Sequence, residues 1–258
     1  MQNRVRPPIW LWFNLLSLDA PLIALVWQDF LARCYPTLLR PTGRGALGLT
    51  VWAIYLADRL LDVRHSAFGI ESIKHRFYRQ HRKFVIALLA IIVCGDALVT
   101  MIWLRPTVFD NGLVLSGCVV AYLAAFAFAG WSGVAKKPLA ALLFTSGTFL
   151  IAWTGAGHAV SRLLCPAAAF CALCLGNLLM IERWSTQSLP YRRNTAHELA
   201  CLTLLSACLY YGRSSTWFIA IMISAAALAA LARSGRKISG DVRCVLADAV
   251  LLTPLLFR

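Results

Sequence analysis

Charge is scarce in this chain, and acidic charge is scarcest. Only 14% of the 258 residues are charged, and 11 Asp and Glu stand against 25 Lys and Arg. Soluble domains are about 25% charged. With 60% hydrophobic residues and a mean hydropathy of +0.69, a single water-soluble core is excluded. The short alternating segments of a membrane barrel are also missing, because the apolar runs are long and continuous. There is no nucleophile elbow, Walker loop, dinucleotide fingerprint or HExxH pair, which argues against hydrolases, NTPases and metalloproteases. No internal repeat, low-complexity stretch or linker interrupts the chain, so residues 1–258 read as one transmembrane helical domain. The nine cysteines form no disulfide framework. Most lie inside apolar runs, where a free thiol behaves as a small hydrophobe. Cys171 and Cys174 form a CxxC, but no nearby His or Cys completes the four ligands zinc needs, so they read as packing.

What the chain has is apolar length. A membrane span needs about 20 mainly apolar residues. That rule predicts an all-α polytopic bundle of about nine helices, near 9–31, 45–63, 84–104, 112–131, 138–158, 163–183, 197–212, 215–233 and 242–257. The first run starts basic, is interrupted by Asp19 and lacks a small-residue cleavage site, so it reads as a first membrane helix rather than a removed signal peptide. Basic residues concentrate in alternate loops: Arg64 to Lys83, Lys136 and Lys137, Arg183 to Arg193, and Arg233 to Arg243. The positive-inside bias then places the N-terminus in the cytoplasm. Short loops and no transit segment point to a bacterial inner membrane. The net charge of +14 is explained by that bias and by attraction to anionic lipid headgroups, with no need for nucleic acid.

The informative stretch is Tyr55-Leu-Ala-Asp-Arg-Leu-Leu-Asp-Val-Arg-His65, which closes an apolar run and opens the most basic loop. Asp58 and Asp62 stand about one turn apart on one helical face. Charge where an apolar span meets the surface needs a reason. A Mg²⁺ site is one reading, since Mg²⁺ takes one or two carboxylates plus phosphates and water; ion pairing with loop Lys or Arg is the other. In Lys74-His-Arg-Phe-Tyr-Arg-Gln-His-Arg-Lys83, His75, Arg79 and Arg82 share a helical face. With Arg76 they form either a diphosphate clamp, since Arg binds phosphate bidentately, or a topogenic anchor on lipid headgroups. Asn177 and Glu182-Arg183 end the sixth run on the same side, as a metal contact or as a structural ion pair. Tyr191, Arg192, Arg193 and His197 are lesser phosphate or acceptor candidates, and His158 reads as structural. Asp19, Asp96 and Asp248 lie inside apolar runs, where acids face a bundle interior or a wet cavity.

This layout resembles the UbiA superfamily of intramembrane prenyltransferases. That family has nine transmembrane helices, with acidic motifs on the cytoplasmic side after the second and sixth. Asp58-Arg-Leu-Leu-Asp62 stands at the first location and Asn177…Glu182 near the second. Leu18-Asp-Ala-Pro-Leu22 resembles the family's first-helix entry, and Lys136-Lys-Pro138 its basic entry to helix five. The chain departs from the family's NDxxDxxxD: Ala57 precedes the first acid, the acids are spaced DxxxD, and Glu182 alone represents the second motif. The resemblance implies transfer of a prenyl group from a Mg²⁺-bound polyprenyl diphosphate to an aromatic or lipid-like acceptor. Asp58, Asp62 and Glu182 would be the catalytic acids, with the metal on Asp58 and Asp62. Arg59, His75, Arg76, Arg79, Arg82 and Lys137 would bind the diphosphate. Asp19, Tyr55, Asn177 and Asp248 would line the cavity, with Trp52 and Tyr55 as aromatic lining near the allylic cation. Intramolecular attack would make a terpene cyclase instead. A non-catalytic UbiA-like protein that binds a lipid or partner is the second reading. A transporter is the third, and it would show broken helices or repeat symmetry, neither of which is visible in the sequence.

Overall fold

The computed structural model describes residues 9–35, 37–65, 73–128, 133–156, 160–185, 215–233 and 239–257, and every regular element among them is helical. The elements are α1 (Ile9–Leu15), α2 (Asp19–Cys34), α3 (Pro41–His65), α4 (Ile73–Gln80), α5 (Arg82–Trp103), α6 (Pro106–Phe128), α7 (Gly133–Ala156), α8 (Ser161–Ser185), α9 (Thr216–Arg233), α10 (Gly240–Val250) and a 3₁₀ turn over Thr253–Phe257. Among the described residues, five helices are long and apolar enough to cross a membrane: α5, α6, α7, α8 and α9. This is an integral membrane protein of all-helical build.

The expected nine spans meet the structure unevenly. Segment 197–212 lies outside the described residues, as do His158, Tyr191, Arg192, Arg193 and His197. The second expected span is α3, whose 25 residues include Arg44, Asp58, Arg59, Asp62 and Arg64 and which is not among the five. The first run is two helices, and the last is an 11-residue helix followed by a 3₁₀ turn. Proline explains both interruptions. Pro21 has no N–H to give the Ser17 carbonyl, which weakens a continuous helix through this point and favours the break between α1 and α2. The chain turns at Ser17, with φ of 54°, the one non-glycine residue in the left-handed region among those described. Pro254 in the same way denies a donor to the Val250 carbonyl, where α10 stops.

Both breaks are pinned by side chains. Trp52 Nε1 donates to the Leu16 carbonyl at 2.8 Å, and Ser17 Oγ shares a hydrogen bond of 3.0 Å with Tyr78 OH on α4. Burial pushes the Tyr78 phenol above its ordinary range, so it stays protonated and able to donate. Trp27 Nε1 donates at 2.8 Å to the Leu251 carbonyl, one of those the end of α10 leaves without a helical partner. Ser224 and Thr253 join α9 to the 3₁₀ turn through a 2.5 Å hydroxyl contact.

The main core gathers Trp27, Phe30, Phe149 and Phe170 from α2, α7 and α8. The Trp27 and Phe170 rings lie 4.5 Å apart. On α5 and α6 the apolar side chains point outward instead: Ile91, Leu98, Met101, Leu113, Val114 and Phe128 are all exposed. In water such a surface would aggregate, whereas in a bilayer it faces hydrocarbon. α3 and α7 approach closely at Gly43, where an added Cβ would fall 2.6 Å from Ile151 Cδ1.

Candidate functional site

Two neighbouring cavities meet at Tyr55 and Arg59 of α3. The larger holds about 370 Å³ and runs between α3, α5, α6 and α7. It is lined along α3 from Gly43 to Arg59, a rise of about 24 Å at helical pitch. Its wall is apolar over most of that length, with Tyr122 and Phe144 among the aromatics. Its ionic end is Asp58 and Arg59.

At that end Asp58 and Asp62 converge on one ammonium. Lys136 Nζ of α7 lies 2.9 Å from Asp58 Oδ1 and also bonds Asp62 Oδ1. Arg59 Nη1 approaches Asp62 at 3.5 Å. One residue along α7, Lys137 Nζ contacts Glu182 of α8 at 2.5 Å. Consecutive lysines on a helix start thus hold acids from two different helices, and the ends of α3, α7 and α8 share one ionic layer. The resemblance assigned Lys137 a diphosphate role and gave Lys136 only as part of the basic entry to helix five, with no acid as its partner. Its signal was present, because two adjacent lysines opening an apolar helix need partners. Arg59 Nε is buried and bonds nothing among the described residues.

The rest of the expected clamp sits apart from this layer in exposure. Arg76 and Arg79 of α4 and Arg82 of α5 are exposed, and the His75 side chain lies outside the described residues. Trp52 does not line either cavity. It braces the α1–α2 break instead.

The metal expectation can be set against the acids themselves. Among the described residues no three His, Cys, Asp or Glu gather to hold an ion unaided. Mg²⁺ does not require that, since phosphates and water fill its remaining positions. Asp58 and Asp62 both reach a single cation, and Lys136 Nζ is that cation here. The two carboxylates are thus close enough to share one cation, as a single Mg²⁺ would require, and the ion pair with Lys136 is what they form in this structure.

The smaller cavity, about 50 Å³, lies among α2, α3, α7, α8 and α10. It brings together Ser17, Asp19, Tyr55, Arg59, Asn177 and Asp248. Asp19 and Asp248 share one donor. Asn14 Nδ2 gives to Asp19 Oδ2 at 2.5 Å and to Asp248 Oδ2 at 3.4 Å. Asn177 Nδ2 donates to Asp248 Oδ1 at 3.1 Å, and Asp19 Oδ1 accepts from the Ala20 amide at 3.0 Å. Asn14, unnoticed in the sequence, is a buried amide in an apolar run five residues before Asp19. The third intramembrane acid, Asp96, stands elsewhere. It accepts from Thr50 Oγ1 at 2.6 Å on the wall of the larger cavity.

Cys174 is buried and Cys171 half-buried, in keeping with packing. Two broken helices, at Ser17 and after Val250, end at the smaller cavity, although the sequence displayed none. No family model, curated protein or solved structure matches this chain.

Proposed function

We propose that this is an intramembrane prenyltransferase-like protein that binds a polyprenyl diphosphate, and that the nine-pass UbiA-like arrangement belongs to the same reading. One observation carries it: a cavity lined by about 24 Å of α3, mostly apolar apart from Asp96 and its Thr50 partner, with Asp58 and Arg59 at one end. A long hydrocarbon with one strongly anionic end has that shape and polarity. The buried Arg59 Nε is a donor awaiting an acceptor, and a phosphate oxygen is a strong one.

The ionic layer is balanced as it stands. Asp58, Asp62 and Glu182 face Arg59, Lys136 and Lys137. A Mg²⁺-diphosphate brings charge of both signs: Lys136 and Arg59 would turn to phosphate oxygens, Asp58 and Asp62 would hold the metal, and Lys137 would stay with Glu182 at the edge of the site. Bound there, Mg²⁺ would neutralise phosphate charge and make diphosphate a better leaving group. The bond that breaks joins the prenyl C1 to its diphosphate oxygen, and the electron pair leaves with diphosphate. Tyr55, Tyr122 and Phe144 line the cavity, and aromatic rings there would stabilise an allylic cation. The aromatic or lipid-like acceptor would attack at C1 and give up a proton, which the departing diphosphate would take, while the largely apolar wall keeps water from competing.

The test is equilibrium binding of geranylgeranyl diphosphate to detergent-purified protein, in Mg²⁺ and in EDTA. Saturable Mg²⁺-dependent binding, weakened about tenfold or more by Asp58→Asn and by Arg59→Gln, is the expected result. Folded wild type that binds in neither condition would sink the proposal. A second reading has an observation in its favour: Asp58, Asp62 and Glu182 all have lysine partners. On that reading the protein binds an isoprenoid or other lipid without turning it over. Binding with no diphosphate release on incubation with membrane lipids would select it.

A further inference from the structure

We infer that the larger cavity has a second polar station, remote from its ionic end, that holds the hydroxyl of a lipid-like alcohol on Asp96 and Gln28. Asp96 lines this cavity from α5, and only half of its carboxyl is engaged. Oδ2 accepts from Thr50 Oγ1 at 2.6 Å. Oδ1 is buried and has no hydrogen-bond partner among the described residues. Thr100, one turn along α5, does not serve it, because its hydroxyl goes to the backbone carbonyls of Asp96 and Ala97 at 2.8 and 3.1 Å. A carboxyl oxygen left without a donor in an apolar wall is costly. The plain hydrocarbon of a prenyl chain brings no donor to it, whereas a hydroxyl does.

A second, independent observation points to a ligand at the same end. Gln28 of α2 is only 3% exposed and lines the larger cavity, and its Oε1 is buried with no hydrogen-bond partner among the described residues. Its level follows from how α2 meets α3. A Cβ on Gly48 would meet Leu25 at 3.4 Å, and Asp29 pairs with Arg44 at 2.8 Å, so the two helices run antiparallel. Gln28 therefore lies beyond Thr50, on the side away from Asp58. Thr50 is itself about 12 Å along α3 from Asp58. Acceptors from α2 and α5 thus wait for donors in the half of the cavity that the ionic layer does not reach. An alcohol suits them better than an ammonium. The Gln28 oxygen is uncharged, and a neutral ligand enters an apolar cavity without the cost of stripping an ion of its water. The inference stands apart from the diphosphate reading, because neither acceptor belongs to the ionic layer.

The experiment uses the full chain purified in lauryldimethylamine oxide, a detergent without hydroxyl groups. Binding of tritiated decanol is measured by equilibrium dialysis against empty micelles of the same detergent. Unlabelled decanol and decyl methyl ether are the competitors; the ether keeps the chain and the oxygen but has no proton to donate. Saturable decanol binding is expected, with the ether competing about tenfold or more less well, the ratio that loss of one hydrogen bond to a carboxyl gives. Asp96→Leu brings the two competitors to near equality, and Gln28→Leu narrows the gap. Asp110→Asn, on the exposed face of α6, leaves it unchanged. Should either cavity variant fail to fold, the wild-type ratio still decides. Equal competition by alcohol and ether, or no saturable decanol binding by folded wild type, overturns the inference, and the two acceptors then face water alone. Stronger competition by decylammonium than by decanol also overturns it, since Asp96 is then an amine site. A preference for the alcohol that is lost in Asp58→Asn and kept in Asp96→Leu places the hydroxyl at the ionic end and overturns it as well.

Discussion

Removing the Lys136 ammonium should destabilise the protein because of what it leaves behind. Lys136→Met keeps the aliphatic stem and deletes the charge that Asp58 and Asp62 share. Breaking a fully buried ion pair from one side costs about 3–5 kcal/mol, mostly because the surviving charge stays desolvated. Here the Lys136, Asp58 and Asp62 side chains keep 22%, 21% and 27% exposure. Water therefore screens part of the loss, and about 2–3 kcal/mol is expected. The second half of the argument is sharper. In Lys136→Met the two acids repel across a site that has lost the cation bonded to both, with Arg59 still 3.5 Å from Asp62. Asp62→Asn made in that background relieves the repulsion. The double variant should lose about 1–2 kcal/mol less than the two single losses added together. Reversible unfolding in mixed micelles, followed by tryptophan fluorescence, gives all four free energies. Additivity within about 0.5 kcal/mol would refute the idea that these three side chains act as one charge cluster.

Three further outcomes follow from the same geometry. Mg²⁺ alone should raise the melting temperature of Lys136→Met, where it can take the ammonium's place, and leave wild type nearly unmoved; equal responses would mean that Lys136 does not hold the metal position. Trp27→Phe keeps the ring among Phe30 and Phe170 but strips the Leu251 carbonyl of its donor, with an expected cost of about 1–3 kcal/mol in the same unfolding assay. Gly112→Phe projects into the larger cavity from α6, where a Cβ would already meet Leu150 at 3.7 Å. It should weaken binding of a long prenyl diphosphate more than of a short one, measured as a ratio of dissociation constants.

The sequence exposed the helices, the membrane class and the acids, because length of apolar run and the rarity of charge within it are local properties. Asp58, Asp62 and Glu182 stood out for that reason. What holds them did not, since Lys136 and Lys137 lie 74 and 45 positions away along the chain from Asp62 and Glu182. Spacing says nothing about partners on other helices. The two helix breaks were written in Pro21 and Pro254, yet both sit within runs apolar enough to pass for uninterrupted spans. Asn14 escaped because one amide hardly alters hydropathy over a window of about 20 residues. Only the fold shows that it faces two acids.

The bond between Asn14 and Asp248 closes a loop of 234 positions, which has a consequence for how the protein is made. Neither α1 with 7 residues nor α2 with 16 spans a bilayer alone. During synthesis, Asp19 is therefore carried into the membrane long before its far partners emerge. Contacts of such sequence separation form late, and domains assemble from the N-terminal side as the chain is extended. The smaller cavity is therefore complete only once α10 is in place, because Asn14 and Asn177 have no Asp248 to bond until then.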